Sequence, residues 1–431
     1  MSSRLRYLFM TVSACMVGML VWGAVAGRGA SPDETYRHLA VYTEVLSKIK
    51  TDYVEEPDMK SVTLGAVNGL LESLDPFASY LNADQYKQWQ KSREEKKADV
   101  GLILSKKFGY LGVVDSWPDS SAAKAGLNTG DFIETINGVS TRDMPLAYAE
   151  VLLRGEPGTT VELSVMKVRG AEAQKITLER TVLKAPRVAA KMLPDQIGYV
   201  QVPSTESGKA KEVAAAVSQL AAQGAKQLVL DFRNAAYGVP EEGVAIANLF
   251  LDKGVITYLQ GQRIAKQNFE ADPTKAIWRA PLVVLTNRGT ATGAEVAAAA
   301  LLDHKRAEVV GERSYGDAAQ RRAITMEDGS AVILSVAKYY SPLSGKALQD
   351  NGVTPSVPVM DSGAATEDEE VEPESPEQPK KPGEDVILKR AIEVLSKGAV
   401  AVRTEPASAS QVQPPAGDSA LKPLNDPQPR P

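Results

Sequence analysis

Side chains that commonly carry out catalysis or hold metals are scarce in this sequence. It contains two histidines, His38 and His304, which lie far apart along the chain, and one cysteine, Cys15. A metal site built from clustered histidines is therefore not expected, and cysteine-rich zinc sites and intrachain disulfides are excluded. A Ser-His-Asp triad would have to use one of the two histidines. We predict neither a metal nor a cofactor.

The overall charge argues against a nucleic-acid partner. Lysine and arginine total 49, aspartate and glutamate total 54, and the formal net charge is −5. Binding a phosphate backbone needs a basic field, so no nucleic acid is expected as a ligand. With 43% hydrophobic residues, the 431-residue chain can bury sizeable cores. At roughly 100–200 residues per domain, it is long enough for several domains.

An uncharged segment near the N-terminus indicates export. Arg4 and Arg6 precede a mostly apolar run from Leu8 to Ala26, long enough at about 1.5 Å per residue to span a hydrocarbon core. The positive-inside rule keeps the arginines in the cytoplasm and sends the rest of the chain across the membrane. Ala24-Val25-Ala26 also matches a signal-peptidase site. We predict a periplasmic or otherwise exported protein, either anchored in the inner membrane through residues 8–26 or released by cleavage.

The pattern of apolar residues predicts a multi-domain α/β protein. Helical spacing predicts an N-terminal helical region, and short alternating runs separated by glycine and proline predict a β-rich module. Alternating strands and helices then predict an α/β layered core. An acidic, proline-rich linker, a short amphipathic helix and a disordered tail follow. The predicted segments are residues 1–30 (signal peptide or anchor), 31–96 (helical), 97–182 (β-rich), 183–360 (core), 361–384 (linker), 385–398 (helix) and 399–431 (tail).

The predicted core alternates four strands with three helices. The strands are Ile197–Val202, Gln227–Phe232, Leu282–Leu285 and Ala307–Val310, and the helices are Ala210–Ala222, Pro240–Leu251 and Ala294–Leu302.

Three groups of short motifs follow one another along the chain. The helical region carries Leu74-Asp75-Pro76-Phe77-Ala78-Ser79-Tyr80-Leu81. The β-rich module carries Ala122-Ala123-Lys124-Ala125-Gly126-Leu127, Gly130-Asp131-Phe132-Ile133 and Ile136-Asn137-Gly138. The core carries Leu230-Asp231-Phe232-Arg233-Asn234, Asp303-His304-Lys305-Arg306-Ala307, Val310-Gly311-Glu312-Arg313 and Ala337-Lys338-Tyr339-Tyr340-Ser341-Pro342.

Together these motifs resemble the C-terminal processing peptidases, also called tail-specific proteases. The resemblance covers residues 35–360 and the helix at 385–397. It implies a PDZ domain at residues 97–182 and a protease-like core at residues 183–360 with a ClpP- or crotonase-like layered fold. Family members are serine-type endopeptidases that cut proteins near their C-termini.

The resemblance also implies a peptide-binding loop. A PDZ domain accepts a peptide as an added strand and holds its terminal carboxylate with backbone N–H groups. The corresponding loop here is Asp99-Val100-Gly101-Leu102. The family usually has glycine where Asp99 stands, and a carboxylate there would repel a terminal carboxylate unless it points away. Peptide binding and a purely packing or gating role for the module both remain open.

The residues that the resemblance places at the catalytic site depart from the family. Members use a serine nucleophile and a buried, neutral lysine that takes its proton. In the segment Gly289-Thr290-Ala291-Thr292-Gly293-Ala294-Glu295 the serine position falls on Thr292, and the lysine position falls on Asp317. An ionised aspartate is a feeble base for a hydroxyl, and its charge opposes a developing oxyanion. Losing the nucleophile or the base costs on the order of 10⁴–10⁶ in rate.

The supporting positions differ as well. Tyr237 stands where the family has an oxyanion-hole glycine, with Gly238 one residue on, and the second donor would be the N–H of Gly293. The position of a supporting glutamine falls on Arg321, with Gln320 one residue earlier. We predict a protease fold without protease chemistry, in which the Thr292 hydroxyl donates a hydrogen bond to the Asp317 carboxylate.

Two classes of function remain open. The first is a non-catalytic envelope protein that binds unfolded or C-terminal peptide segments of envelope proteins, or that scaffolds an active protease relative. A purely structural subunit belongs to the same class. The second is an active envelope serine-type peptidase with unorthodox residues. A relocated site would draw on the hydroxyls of Ser314, Ser335 and Ser341 and on the amines of Lys305 and Lys338.

The charge pattern around the N-terminal apolar run predicts the topology of the whole chain. Because Arg4 and Arg6 precede the run, residues 28–431 should lie outside the cytoplasm. A reporter active only in the cytoplasm, fused to the C-terminus, should therefore be silent, whereas a periplasmic reporter should be active. An active cytoplasmic reporter would overturn this topology.

Overall fold

A computed structural model describes residues 33–94, 98–107, 109–142, 144–168, 170, 172–360 and 385–398. The predicted export segment, the acidic linker 361–384 and the tail 399–431 lie outside the described residues. Among the residues that are described, no helix is both long and apolar enough to cross a membrane.

The chain divides between Leu70 and Leu71 into two units. The first contains α1 (Asp33–Asp52) and most of α2 (Met59–Glu72), both expected from helical spacing. The second begins at Leu71 and contains the remaining elements.

The region predicted as helical also contains a strand. After α2 the chain forms β1 (Ser79–Leu81) and then α3 (Ala83–Glu94). Asp75 Oδ1 accepts hydrogen bonds from the N–H groups of Phe77 and Ala78, both at 2.8 Å, which turns the chain sharply. The β1 strand then pairs antiparallel with residues 331–333. The helical prediction for residues 31–96 is therefore incomplete, because β1 belongs to a sheet of the core.

The β-rich module has its own antiparallel sheet and its own hydrophobic core. Its elements are β2 (Leu102–Lys107), β3 (Tyr110–Ser116), α4 (Ser121–Lys124), β4 (Phe132–Ile136), β5 (Val139–Ser140), α5 (Leu146–Leu153), β6 (Thr160–Met166) and β7 (Ala173–Glu179). The strand order is β2-β3-β4-β6-β7, with β5 paired to β4. Leu111, Ile133 and Leu163 are fully buried in the module's core. The β2 strand lies at one edge of the sheet.

The core contains two sheets. Its elements are β8 (Ala189–Leu193), β9 (Ile197–Gln201), α6 (Lys209–Ala222), β10 (Gln227–Asp231), α7 (Pro240–Asn248), β11 (Val255–Gly261), β12 (Ile264–Glu270), β13 (Leu282–Thr286), α8 (Gly293–Asp303), β14 (Glu308–Gly311), β15 (Ala319–Thr325), β16 (Ala331–Tyr340) and β17 (Val357–Pro358), with short 3-10 turns at Pro194–Gln196 and Pro273–Lys275.

The larger sheet contains all four predicted strands. Its order is β17-β14-β13-β10-β9-β8, and all pairs are parallel except β8 with β9. The β10 and β13 strands are almost wholly buried, as expected of parallel strands covered on both faces. The second sheet has the order β1-β16-β11-β12, with β15 paired to β16. The predicted α/β layered fold is confirmed, although the strands of this second sheet were not predicted.

The amphipathic helix predicted near the C-terminus is α9 (Val386–Ser396). Its buried residues Ile387, Ala391 and Leu395 pack in one hydrophobic cluster with residues of the larger sheet. Asp385 caps its first turn by accepting from the N–H of Leu388 at 2.9 Å, and the Asp385 carboxylate pairs with the guanidinium of Arg233 at 2.8 Å. This ion pair ties the helix to the end of β10.

Candidate functional site

Thr292 lies at the N-terminus of α8, where the chain turns from the loop after β13 into the helix. Its φ of 53° and ψ of −121° place a β-branched residue in a region that such residues avoid. Its Oγ1 is buried and has no hydrogen-bond partner among the described residues. A strained residue with an unpartnered buried hydroxyl is typical of functional positions.

The carboxylate of Glu295 holds this turn in place. Its Oε1 accepts from the Ser314 hydroxyl at 2.5 Å and from the Gly316 N–H at 2.6 Å. Its Oε2 accepts from the Asp317 N–H at 2.8 Å and from the Thr292 N–H at 3.2 Å. Because the N–H groups of Thr292 and Asp317 share one oxygen, the structure brings the two predicted catalytic positions close together. Burial raises the pKa of Glu295 to about 8.

Glu295 was not predicted as a site residue, although a signal for it was present. Thr292-Gly293-Ala294-Glu295 has the Thr-x-x-Glu spacing of a capping box, in which the glutamate accepts from the N–H of the capping residue. The structure has this capping-box arrangement: the Thr292 N–H donates to Glu295 Oε2, and the Thr292 hydroxyl faces the Glu295 backbone N–H without meeting hydrogen-bond geometry.

The predicted hydrogen bond between Thr292 and Asp317 is wrong. The Asp317 carboxylate instead accepts from Nη2 of Arg321, and the Arg321 guanidinium lies 3.9 Å from the centre of the Phe77 ring. Only 13% of the Asp317 side chain and 29% of the Arg321 side chain are exposed. A guanidinium brings a full charge and several donors, so it binds the carboxylate in preference to a neutral hydroxyl.

In the predicted oxyanion region, position 238 has room only for a glycine. Gly238 has a φ of 136°, and a Cβ there would lie 2.2 Å from the backbone carbon of Thr205. The chain on either side forms two hydrogen bonds of 2.8 Å with Thr205, one accepted by the Tyr237 carbonyl and one donated by the Val239 N–H. The Tyr237 ring packs edge-on against Trp117 with centroids 4.5 Å apart, and 44% of the residue is exposed.

Of the two other predicted site residues, Gly293 lies next to the loop that carries Tyr237, whereas Gln320 points to solvent. A Cβ on Gly293 would lie 2.4 Å from the Val239 carbonyl oxygen, so this residue adjoins the oxyanion loop. Its N–H belongs to the first turn of α8, where a helix supplies no internal acceptor. Gln320 is exposed on β15, whereas Arg321 reaches Asp317. Of the two candidates for the supporting position, the structure therefore brings Arg321 into the site.

The β-rich module contacts the site through β3. The buried Asp115 carboxylate accepts from the Ser116 N–H at 2.8 Å and lies near the N–H of Ala236, in the loop that carries Tyr237. Val114 packs beside it with Ala236 and Ala291. Burial raises the pKa of Asp115 to about 8. The module thus helps to fix the loop that carries Tyr237.

The predicted peptide-binding residues lie at the start of β2. Val100 is fully buried, Leu102 begins the strand, and the N–H of Gly101 donates to Asp99 Oδ1 at 2.8 Å. Asp99 Oδ2 lies 3.3 Å from Nε of Arg154. The carboxylate of Asp99 therefore points into its own loop.

Of the residues considered for a relocated site, Ser314, Ser341 and Lys338 have other partners, whereas the buried Ser335 Oγ has no hydrogen-bond partner among the described residues. Ser314 donates to Glu295, and Ser341 donates to Asp303 Oδ2 at 2.6 Å. Lys338 pairs with Asp350 at 2.8 Å. None of these contacts joins a serine hydroxyl to a lysine amine.

The fold and the site together define a serine-type peptidase architecture with an attached PDZ domain. The family model of Peptidase family S41 matches residues 196–359, and a PDZ domain model matches residues 112–167. A carboxy-terminal-processing protease of Bartonella bacilliformis is 31% identical over 333 residues, covering 75% of this chain and 76% of the relative. A carboxyl-terminal-processing protease of Synechocystis sp. is 33% identical, covering 72% and 73%.

A solved structure agrees. The photosystem II D1 C-terminal processing protease has a TM-score of 0.61 and 26% identity, with 74% of this chain and 92% of that chain covered. This chain belongs to the carboxy-terminal processing protease family, as its motifs predicted.

The strain at Thr292 predicts an unusual effect on stability. Thr292→Gly removes a β-branched residue from a positive φ and also removes a buried, unpartnered hydroxyl, so the free energy of unfolding should rise by about 0.5–1 kcal/mol. Urea unfolding measures it. The matched control is Thr290→Gly, whose hydroxyl donates to the Phe232 carbonyl at 2.8 Å and accepts from the Asn287 N–H at 3.0 Å. The control should lose about 1–3 kcal/mol. Equal losses in both variants would contradict this account.

The raised pKa of Asp115 predicts a pH dependence of stability. Its pKa of about 8 in the folded protein lies above the ordinary value of 3.8, so the folded state binds the proton more tightly. This contribution is present at low pH and is lost as the pH rises from about 4 through 8. Between pH 6 and 8, the free energy of unfolding should fall more steeply in the unaltered protein than in Asp115→Asn, by about 1 kcal/mol per pH unit. The exposed Asp119→Asn variant should keep the original slope; an unchanged slope in Asp115→Asn would refute the assignment.

Proposed function

We propose that this chain is an exported, non-catalytic member of the family that binds unfolded or C-terminal peptide segments, or scaffolds an active relative, without cutting them. The observation that carries the proposal is the ion pair between Asp317 and Arg321 at the position of the catalytic base. The carboxylate at this position is engaged with a guanidinium and not with the Thr292 hydroxyl, so it does not serve that hydroxyl as a base.

The surroundings of Thr292 support the same proposal. A catalytic hydroxyl needs a base within hydrogen-bond reach, and Oγ1 has no partner among the described groups. The neighbouring Glu295 takes the backbone N–H of Thr292, and each of its oxygens already accepts two hydrogen bonds. Glu295 thus stabilises the turn through backbone and Ser314 donors, and none of its hydrogen bonds comes from the Thr292 hydroxyl.

The place of action is part of the proposal. It rests on the arginines and the apolar run at residues 8–26, which would carry the body of the protein across the inner membrane. Peptide segments of envelope proteins are then the accessible ligands.

A hydrolysis assay tests the proposed function. The purified protein and its Thr292→Ala variant should both leave casein and a C-terminal tail peptide intact, because neither has an activated nucleophile, while both should still bind peptide. Cleavage that disappears in Thr292→Ala would establish the active-peptidase alternative and sink the proposal.

The same assay tests whether restoring the family's serine, lysine and oxyanion glycine is enough for hydrolysis, or whether Arg321 must change as well. Restoring Thr292→Ser, Asp317→Lys and Tyr237→Gly should not suffice, because the new lysine would face the Arg321 guanidinium. Adding Arg321→Gln removes that like charge, and this fourfold variant should show measurable hydrolysis. The matched control carries Ala instead of Ser at position 292 and should be inactive. Activity of the threefold variant equal to that of the fourfold variant would show that Arg321 does not matter.

A further inference from the structure

The PDZ loop that would hold a peptide carboxylate already contains one. Asp99 Oδ1 accepts the N–H of Gly101 at 2.8 Å, and Asp99 Oδ2 pairs with Nε of Arg154 at 3.3 Å. Both side chains are mostly buried, with 22% of Asp99 and 34% of Arg154 exposed. The Gly101 N–H and the Arg154 guanidinium, which a peptide carboxylate could otherwise bind, are therefore both engaged by Asp99.

The backbone keeps this carboxylate where it is. Asp99 exchanges two hydrogen bonds of 3.0 Å with Thr181. Gly101 has a φ of 84°, and a Cβ there would lie 2.3 Å from the Cβ of Ser120, so the loop packs tightly against the start of α4. The Gly101 carbonyl accepts from the Trp117 N–H at 2.7 Å. Because the loop is fixed on both sides, its N–H can be freed only if the Asp99 side chain rotates away.

The edge beside this loop is suited to strand addition. The β2 strand pairs with β3 alone, which leaves its other edge without a strand partner in the described sheet. At the far end of that edge the Lys106 N–H donates to the Pro76 carbonyl at 3.1 Å. The part of the edge nearest to Asp99 begins at Leu102. A peptide added there would place its end against the Asp99 carboxylate.

We propose that Asp99, held by Arg154, stands in for the terminal carboxylate of a peptide, so that this PDZ domain selects segments within unfolded chains rather than free C-termini. A free C-terminus would find the Gly101 N–H taken and would bring a second negative charge next to Asp99, whereas an internal segment brings none. This inference rests on the proposed peptide binding and narrows its ligand class.

A competition between acids and amides tests the inference. The probe is a pool of ten-residue peptides randomised at the last four positions, prepared once as free acids and once as C-terminal amides. The two pools are mixed equally, captured on the immobilised protein and counted by mass spectrometry. The unaltered protein should retain acids and amides in a ratio near one. Asp99→Gly frees the N–H and Arg154, so it should enrich acids by about tenfold or more, the usual effect of a charge-assisted hydrogen bond.

Two further variants show whether the effect comes from the bond that Asp99 makes to the Gly101 N–H or from removing a negative charge. Asp99→Asn keeps an oxygen that can accept the Gly101 N–H, so its ratio should stay close to one. Glu156→Gln removes an exposed carboxylate of the same domain and should also leave the ratio unchanged. Thermal unfolding confirms that each variant is folded.

The outcomes distinguish this inference from the proposed function. Tenfold enrichment of acids by the unaltered protein, or no enrichment by Asp99→Gly when it retains peptides, overturns the role of Asp99. If the unaltered protein retains neither pool while Asp99→Gly retains acids, the role of Asp99 stands and peptide binding by the natural chain fails. If no folded variant retains any peptide, both proposals fail.

Discussion

The buried carboxylate of Glu295 is the constraint on which the site depends. It accepts four hydrogen bonds, from the start of α8 and from the segment that leads into β15, and so holds Thr292 beside Asp317. Each donor lost would leave part of a buried carboxylate unsatisfied, which is costly. Glu295 binds mainly backbone N–H groups here, so the backbone of the site does not depend on which side chains stand at positions 292 and 317.

The residues at the predicted catalytic and peptide-binding positions form a consistent set. Asp317 and Arg321 compensate each other's charge beneath Phe77, and Tyr237 packs against Trp117 of the PDZ domain. Asp99 is balanced in the same way by Arg154. At both places the charged residue at the predicted position is paired within the protein. This pattern supports a chain that retains the architecture of a protease without its chemistry.

The sequence predicted the larger sheet well and the second sheet poorly, for physical reasons. The β10 and β13 strands are continuous apolar runs, because both faces of a parallel sheet are covered. The β12 and β15 strands are largely exposed and polar, and they carry no such signal. The resemblance to the family pointed to Thr292 and Asp317 as site residues, but it did not predict that Asp317 pairs with Arg321. The pairing of β15 with β16 shifts register between Gln320 and Arg321. This shift helps to decide which of the two side chains reaches Asp317, and no sequence pattern reveals it.

The most direct measurement of the central claim is a single-turnover reaction with protein in large excess over a labelled peptide that it binds. Because every peptide is then bound, even a very slow cleavage or a trapped covalent intermediate on Thr292 is detected by mass spectrometry. The account predicts that the peptide is recovered intact and that the mass of the protein is unchanged. Peptide fragments or an acyl adduct that vanish in Thr292→Ala would contradict it.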